Sequence, residues 1–256
     1  MSGALEGRTG SGALEGRVVL VTGATGGIGA ATVRAVAAAV GHPVIAHYRD
    51  GRAAAALADS VGPDVLVHET DVRDWDQVAA LIRAVLVHHG RLDVLVNNAG
   101  LMAEVPFIEM TRDDWDTTLD VDLTGVFLCA RHAVGPMLAA GGGAIVNVAS
   151  QLAFKGAAGY TAYCAAKAGV VGLTRALARE VGPTVRVNAI APGPVASAMT
   201  APYTSPEWLS ERTGPLVISR LAEPDEVAAT IVFLASDASS LLHGQTLHAN
   251  GGGVMV

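Results

Sequence analysis

Tyr163 and Lys167 stand four residues apart in a run, 160–181, that reads as a helix, so the two side chains share one face. Ser150 closes an apolar run, Ala144 to Ala149, suited to a parallel strand covered on both faces. A phenol with a pKa near ~10 exchanges protons slowly at neutral pH. An ammonium beside it favours the phenolate and pulls that pKa down, while a neighbouring hydroxyl can donate a hydrogen bond to a substrate oxygen. The chain has 15 Arg and only two Lys, Lys155 and Lys167. Lys is a compact point charge with rotatable donors, which Arg does not replace at a tuned site. Taken alone, the spacing also fits a packed Tyr and a surface Lys; the stretches upstream decide between the two.

The elements that must position these residues follow in order. Val18–Val21 reads as a buried strand, and Thr22 to Gly29 as a glycine turn into a helix running through Val40. Gly23, Thr25, Gly27, Ile28 and Gly29 are the residues that a pyrophosphate at a helix N-terminus would approach; a purely structural turn would use the same glycines. Strands are expected at Val44–Tyr48, Val65–His68, Leu92–Val96, Ala144–Ala149 and Arg186–Ala191, with a last one at Gln245–His248. Thr111 is placed to cap one long helix, 112–138, that contains Asp122. Five strands, each followed by a helical run, predict an α/β fold, a Rossmann-like doubly wound parallel sheet of about seven strands with helices on both faces.

The end of the second strand bears on the nucleotide. An acidic residue there would bond the ribose of NAD, but this chain has Tyr48, Arg49 and Asp50. Arg after a neutral residue suits a 2′-phosphate, which makes NADP(H) the preferred cofactor and NAD(H) the other option; Asp50 would either neutralise Arg49 or bond a ribose itself. Asp71 and Val72 follow the third strand, where an adenine edge would lie, and Asp71 equally suits an N-cap for the helix starting near Asp74. Asn98, Ala99 and Gly100 end the fourth strand with small and amide side chains fit for close approach and for bracing neighbouring strands. Pro192, Gly193 and Val195 end the sixth. A long connection, about 197–222, reads as a lid over substrate, with a short helix at 205–212 and Trp208 as its apolar anchor.

A formal net charge of −7 argues against nucleic acid. Cys129 and Cys164 form no disulfide or thiolate framework, the eight His form no ligand-spaced cluster, and His88 and His89 are expected to diverge on a helix, so no metal is expected. No apolar run is long enough to span a membrane, and a cytoplasmic protein is expected. Residues 2–8 recur as residues 11–17. That places a flexible extension at 1–13 and a single domain over 14–256.

With these pieces in order, the chain resembles the short-chain dehydrogenase/reductase family, including its 3-oxoacyl-acyl-carrier-protein-reductase-like members. The residues that carry the resemblance are Thr22-Gly23-x-x-x-Gly27-Ile28-Gly29, Asn97-Asn98-Ala99-Gly100, Ser150, Tyr163-x-x-x-Lys167 and Pro192-Gly193. The resemblance implies a nicotinamide cofactor, a small-molecule carbonyl substrate, no metal, and a homotetramer built through two long helices. It implies Tyr163 as general acid/base, Ser150 as orienting donor, and Lys167 on the nicotinamide ribose lowering the Tyr163 pKa. Tyr160, with Cys164 four later, is expected to be a pocket wall. Two departures stand out. Asp122 replaces the usual Asn of a proton-relay position, and Ser197 replaces a Thr that contacts the carboxamide. Three functions are weighed: a reductase of free ketones or the reverse alcohol dehydrogenase; a 3-oxoacyl-carrier-protein reductase, disfavoured because 133–143 holds no Lys or Arg; and a cofactor-binding regulator without turnover.

Overall fold

A computed structural model describes residues 12–48, 50–201 and 205–255. Arg49, Pro202 and the greater part of the expected N-terminal extension lie outside the described residues. Leu14, where the domain is expected to begin, is fully buried in the core.

The chain alternates strand and helix: β1 (Val18–Thr22), α1 (Gly27–Ala38), β2 (His42–His47), α2 (Gly51–Val61), β3 (Leu66–Glu69), α3 (Trp75–His89), β4 (Val94–Asn97), α4 (Arg112–Leu119), a π-helical turn (Asp120–Thr124) and α5 (Gly125–Ala139). Then come β5 (Gly143–Val148), α6 (Leu152–Lys155), α7 (Thr161–Val181), β6 (Val185–Ile190), α8 (Pro206–Thr213), α9 (Pro224–Ala235) and β7 (Thr246–Leu247). The strands form one sheet of seven in the order β3-β2-β1-β4-β5-β6-β7, and every pairing is parallel.

Alternation along each strand explains the layers. Val19 and Val21 of β1 point into the apolar layer under α1 and α9, with Val33, Val36, Val227 and Ile231. Val18 and Leu20 point the other way, into the layer under α3, α5 and α7, with Leu81, Val85, Met137 and Val181. Each fully buried side chain of this kind contributes about 1.5–3 kcal/mol relative to exposure. Arg186, at the start of β6, is buried and ties the layers together. Its guanidinium donates to Leu234 O (2.9 Å), Ser236 O (3.0 Å) and Ser239 Oγ (2.7 Å), which occupies carbonyls at the end of α9.

The expected long helix over 112–138 is interrupted. Thr111 and Asp114 form a capping box that starts it, but residues 120–124 widen to a π turn whose one buried residue is Asp122. Such insertions turn a side chain inward at functional sites. The loop expected after Ser150 contains α6, and β7 is shorter than expected.

Candidate active site

Strand order reverses between β1 and β4, so the helices that follow them leave a crevice at the strands' carboxyl ends. There the structure has a cavity of about 610 Å³. Every candidate residue except Arg49 lines it: the glycine turn, Tyr48, Asp71, Val72, Asn98 to Gly100, Asp122, Ser150, Tyr163, Lys167, Pro192, Gly193, Val195 and Ser197.

The glycine turn fits a nucleotide. Gly23 has φ +60°, and a Cβ on it would stand 2.7 Å from Ala99 Cα. A Cβ on Gly27 would meet Ser197 Cβ at 2.8 Å, and one on Gly29 would run into Gly23 O and Asn98 Nδ2. Gly26 caps α1 with no side-chain bond and no acidic residue in the first turn, so the backbone N–H groups there remain available to an anion. Asn98 has a bracing role as well, its amide donating to Thr22 O (2.9 Å) and Gly23 O (3.0 Å).

At the far corner, Asp50 is spent as the N-cap of α2, accepting from Ala53 N–H at 3.0 Å. Asp74, and not Asp71, caps α3. Asp71 grips Arg73 in a bidentate pair that holds its carboxyl below the usual range, and both line the cavity. Sequence reasoning missed Arg73 and also His47, a buried neighbour whose Nδ1 has no partner among the described residues.

Around Tyr163 the geometry is tight. Lys167 Nζ lies 5.6 Å from the Tyr163 ring centroid and donates to Val148 O at 3.1 Å. Asp122 Oδ1 accepts from Leu101 N–H at 2.8 Å, while Oδ2 approaches Lys167 Nζ to 3.4 Å without hydrogen-bond alignment. Burial alone lowers the Lys167 pKa, but attraction to Asp122 and Tyr163 outweighs it and the net shift is upward, so Lys167 stays cationic. Burial raises the Asp122 pKa, only partly offset by Lys167 and the Leu101 N–H.

Tyr163 corrects the expectation of a lowered phenol pKa. Burial raises it, Asp122 adds to the rise, and the downward pulls of Lys167 and of the Ser150 hydrogen bond do not cancel them. Tyr163 is half-buried and lines the cavity.

The substrate side holds further residues that the sequence did not single out: Gln151, Leu152, Lys155, Met199, Thr200 and Arg212. Tyr160, a wall as expected, donates its hydroxyl to Glu104 Oε2 at 2.6 Å. Ser205 caps α8, and Trp208 lines the cavity from that helix.

Away from the cavity, His88 and His89 do not diverge. Their rings sit 4.4 Å apart, and a ligand atom from each lies within 4.8 Å of one from Asp64. His42 Nδ1 stands 2.8 Å from Asp64 Oδ2. Tertiary packing, invisible in sequence spacing, collects them at the sheet's opposite end. Cys129 and Cys164 are both free, and no helix among the described residues is long and apolar enough to cross a membrane.

Comparison with known proteins agrees with this geometry. The family described as Enoyl-(Acyl carrier protein) reductase matches residues 23–253. The chain is 44% identical over 240 residues to a cis-4-hydroxycyclohexanecarboxylate dehydrogenase of Sinomonas cyclohexanicum, covering 92% of this chain and 96% of that one. It is 39% identical over 249 residues to a 3-oxoacyl-[acyl-carrier-protein] reductase of Synechocystis, covering 95% and 99%. A solved short-chain dehydrogenase/reductase of Brucella melitensis, described as a glucose/ribitol dehydrogenase, superposes with a TM-score of 0.91 at 32% identity, over 96% of this chain and all of the other. The chain therefore belongs to the short-chain dehydrogenase/reductase family and is an NAD(P)-dependent oxidoreductase.

Proposed function

We propose that this enzyme moves a hydride between NADP(H) and the ketone or secondary alcohol of a small molecule, with Tyr163 as general acid/base. The observation that carries the reading is the meeting of Ser150, Tyr163 and Lys167 in one cavity with a glycine turn at a helix N-terminus. The bound nicotinamide supplies or accepts the hydride. The chain does the rest. Backbone N–H groups of 27–29 hold the pyrophosphate, Asp71 and Val72 face the adenine, and Pro192, Gly193, Val195 and Ser197 line the nicotinamide side. Lys167, held cationic by Asp122, binds the ribose. Ser150 donates a hydrogen bond to the substrate oxygen, and Tyr163 gives that oxygen its proton or takes it back.

Preference for NADP(H) is supported by the commitment of Asp50 to its helix cap, which removes the acidic competitor at the end of β2 and leaves Arg49 as the phosphate partner. A small alicyclic or aliphatic alcohol is supported by the relative named for cis-4-hydroxycyclohexanecarboxylate. The second reading, a 3-oxoacyl-carrier-protein reductase, is favoured by the relative of that name and disfavoured by the chain's net charge of −7, since carrier proteins are themselves acidic. Exposed apolar side chains on α5 and near the C-terminus, Phe127, Leu138, Leu241 and Met255, suit burial between subunits of a homotetramer, and the assembly is cytoplasmic in this reading.

Assaying free ketones and acetoacetyl-CoA against NADPH and NADH tests the proposal. Faster turnover of free ketones with NADPH is expected, and oxidation with the thioester alone would favour the second reading.

A further inference from the structure

The chain is acidic overall, yet its cavity is not. Among the lining residues the carboxylates are Asp71 and Asp122, and each is matched, to Arg73 and to Lys167. Two more cations line the same cavity, Lys155 at the end of α6 and Arg212 on α8. Among the described residues neither forms an ion pair or a side-chain hydrogen bond. Both lysines of the chain thus face this one cavity.

Arg212 is also held in place. Its guanidinium lies 5.6 Å from the Tyr160 ring centroid and 5.8 Å from that of Trp208. Trp208 and Arg212 are four apart on α8 and so share a face. Stacking on aromatic rings fixes the plane of a guanidinium while leaving its in-plane N–H donors free for a carboxylate. Trp208 Nε1 is buried with no partner among the described residues, and Trp208 lines the same cavity. The Tyr160 hydroxyl is bonded to Glu104, so what Tyr160 offers the cavity is its ring.

We propose that Arg212, held over the rings of Tyr160 and Trp208, is a carboxylate clamp, with Lys155 a second cation lining the same cavity, and that the substrate is an oxo acid or hydroxy acid. The inference rests on the reading of Tyr163 as proton donor and adds the substrate's second anchor. Arg212 and Tyr160 line the same cavity as Ser150 and Tyr163, so a carboxylate on Arg212 and a carbonyl at Tyr163 can belong to one ligand. The substrate is then an acid small enough to share a cavity of about 610 Å³ with the cofactor.

The experiment has a binding arm and a turnover arm. In the first, calorimetry on the NADP⁺-loaded protein compares benzoate with benzamide, for wild type, Arg212→Gln and Arg212→Lys. Benzoate is expected to bind on the order of ten- to a hundredfold more tightly than benzamide in wild type; Arg212→Gln closes that gap, and Arg212→Lys restores part of it. Equal affinity for the two, or an Arg212→Gln variant that keeps the preference, overturns the clamp. In the second arm, kcat/KM for levulinate and 3-acetylbenzoate is compared with that for their methyl esters. The acids are expected to be preferred, with the preference lost in Arg212→Gln. Loss confined to acetoacetyl-CoA would assign these cations to nucleotide phosphate and overturn the proposal. Binding is read without turnover, so a protein that reduces neutral ketones but ignores benzoate refutes the clamp alone. One that binds benzoate through Arg212 and turns over no carbonyl refutes the oxidoreductase reading of the site and leaves the clamp standing.

Discussion

Asp122 Oδ2 stands 3.4 Å from Lys167 Nζ, and both side chains are shut away from solvent. The carboxylate raises the Lys167 pKa and also adds to the rise at Tyr163, so one residue acts on both proton-handling groups. Alcohol oxidation needs Tyr163 unprotonated, and its rate climbs as pH rises through the Tyr163 pKa. Asp122→Asn removes the negative charge, favours the phenolate and lowers that pKa. The rising limb of kcat against pH for oxidation should therefore move to lower pH. An unmoved limb would mean that the Asp122 charge does not reach Tyr163.

The glycine turn gives a second prediction. Gly29→Ala places a Cβ against Gly23 O and Asn98 Nδ2, backbone and a braced amide that do not give way cheaply. Overpacking of this kind costs about 1–3 kcal/mol. Cofactor affinity should fall roughly tenfold or more, because the displaced turn is the one that meets the pyrophosphate. Equilibrium titration with NADPH checks this.

Arg49→Ala tests the nucleotide preference. Loss of a charge-assisted hydrogen bond to a 2′-phosphate should weaken NADPH on the order of tenfold or more and leave NADH little changed. Equal weakening of the two would contradict the preference.

Arg186→Met tests the architecture apart from the site. The variant removes the hydrogen bonds that a charged donor makes to Leu234 O, Ser236 O and Ser239 Oγ, while Ser239 Oγ still reaches Leu234 O and Ser236 O and Arg17 still reaches Ala235 O. Because no carbonyl is left without a partner, the cost is that of lost charge-assisted hydrogen bonds, and chemical denaturation should show a loss of about 1.5–3 kcal/mol.

Much of this was readable from residue order. Alternating apolar strands gave the doubly wound sheet, since β1 must bury Val19 and Val21 on one face and Val18 and Leu20 on the other. Tyr163 and Lys167 were legible because helical spacing is a local property, and Thr111 because caps are local too. What stayed hidden depends on the fold. The π turn at Asp122 has no spacing signal in a single sequence. Arg212 on α8 meets Tyr160, 52 residues earlier at the start of α7, only through the tertiary fold. The Tyr163 pKa went the other way from the expectation because burial, which a sequence does not display, outweighs the nearby ammonium. His42, Asp64, His88 and His89 come together from three separate segments, where only the adjacent pair was visible beforehand.

The most direct test replaces Tyr163 with Phe and measures NADPH oxidation by a free ketone alongside NADPH affinity. General acid catalysis is worth about a hundredfold to ten-thousandfold. Turnover should fall by at least that lower figure while NADPH still binds, because the phenol ring and its packing remain. A Tyr163→Phe enzyme that reduces the ketone at the wild-type rate would contradict the assignment of the proton to this residue.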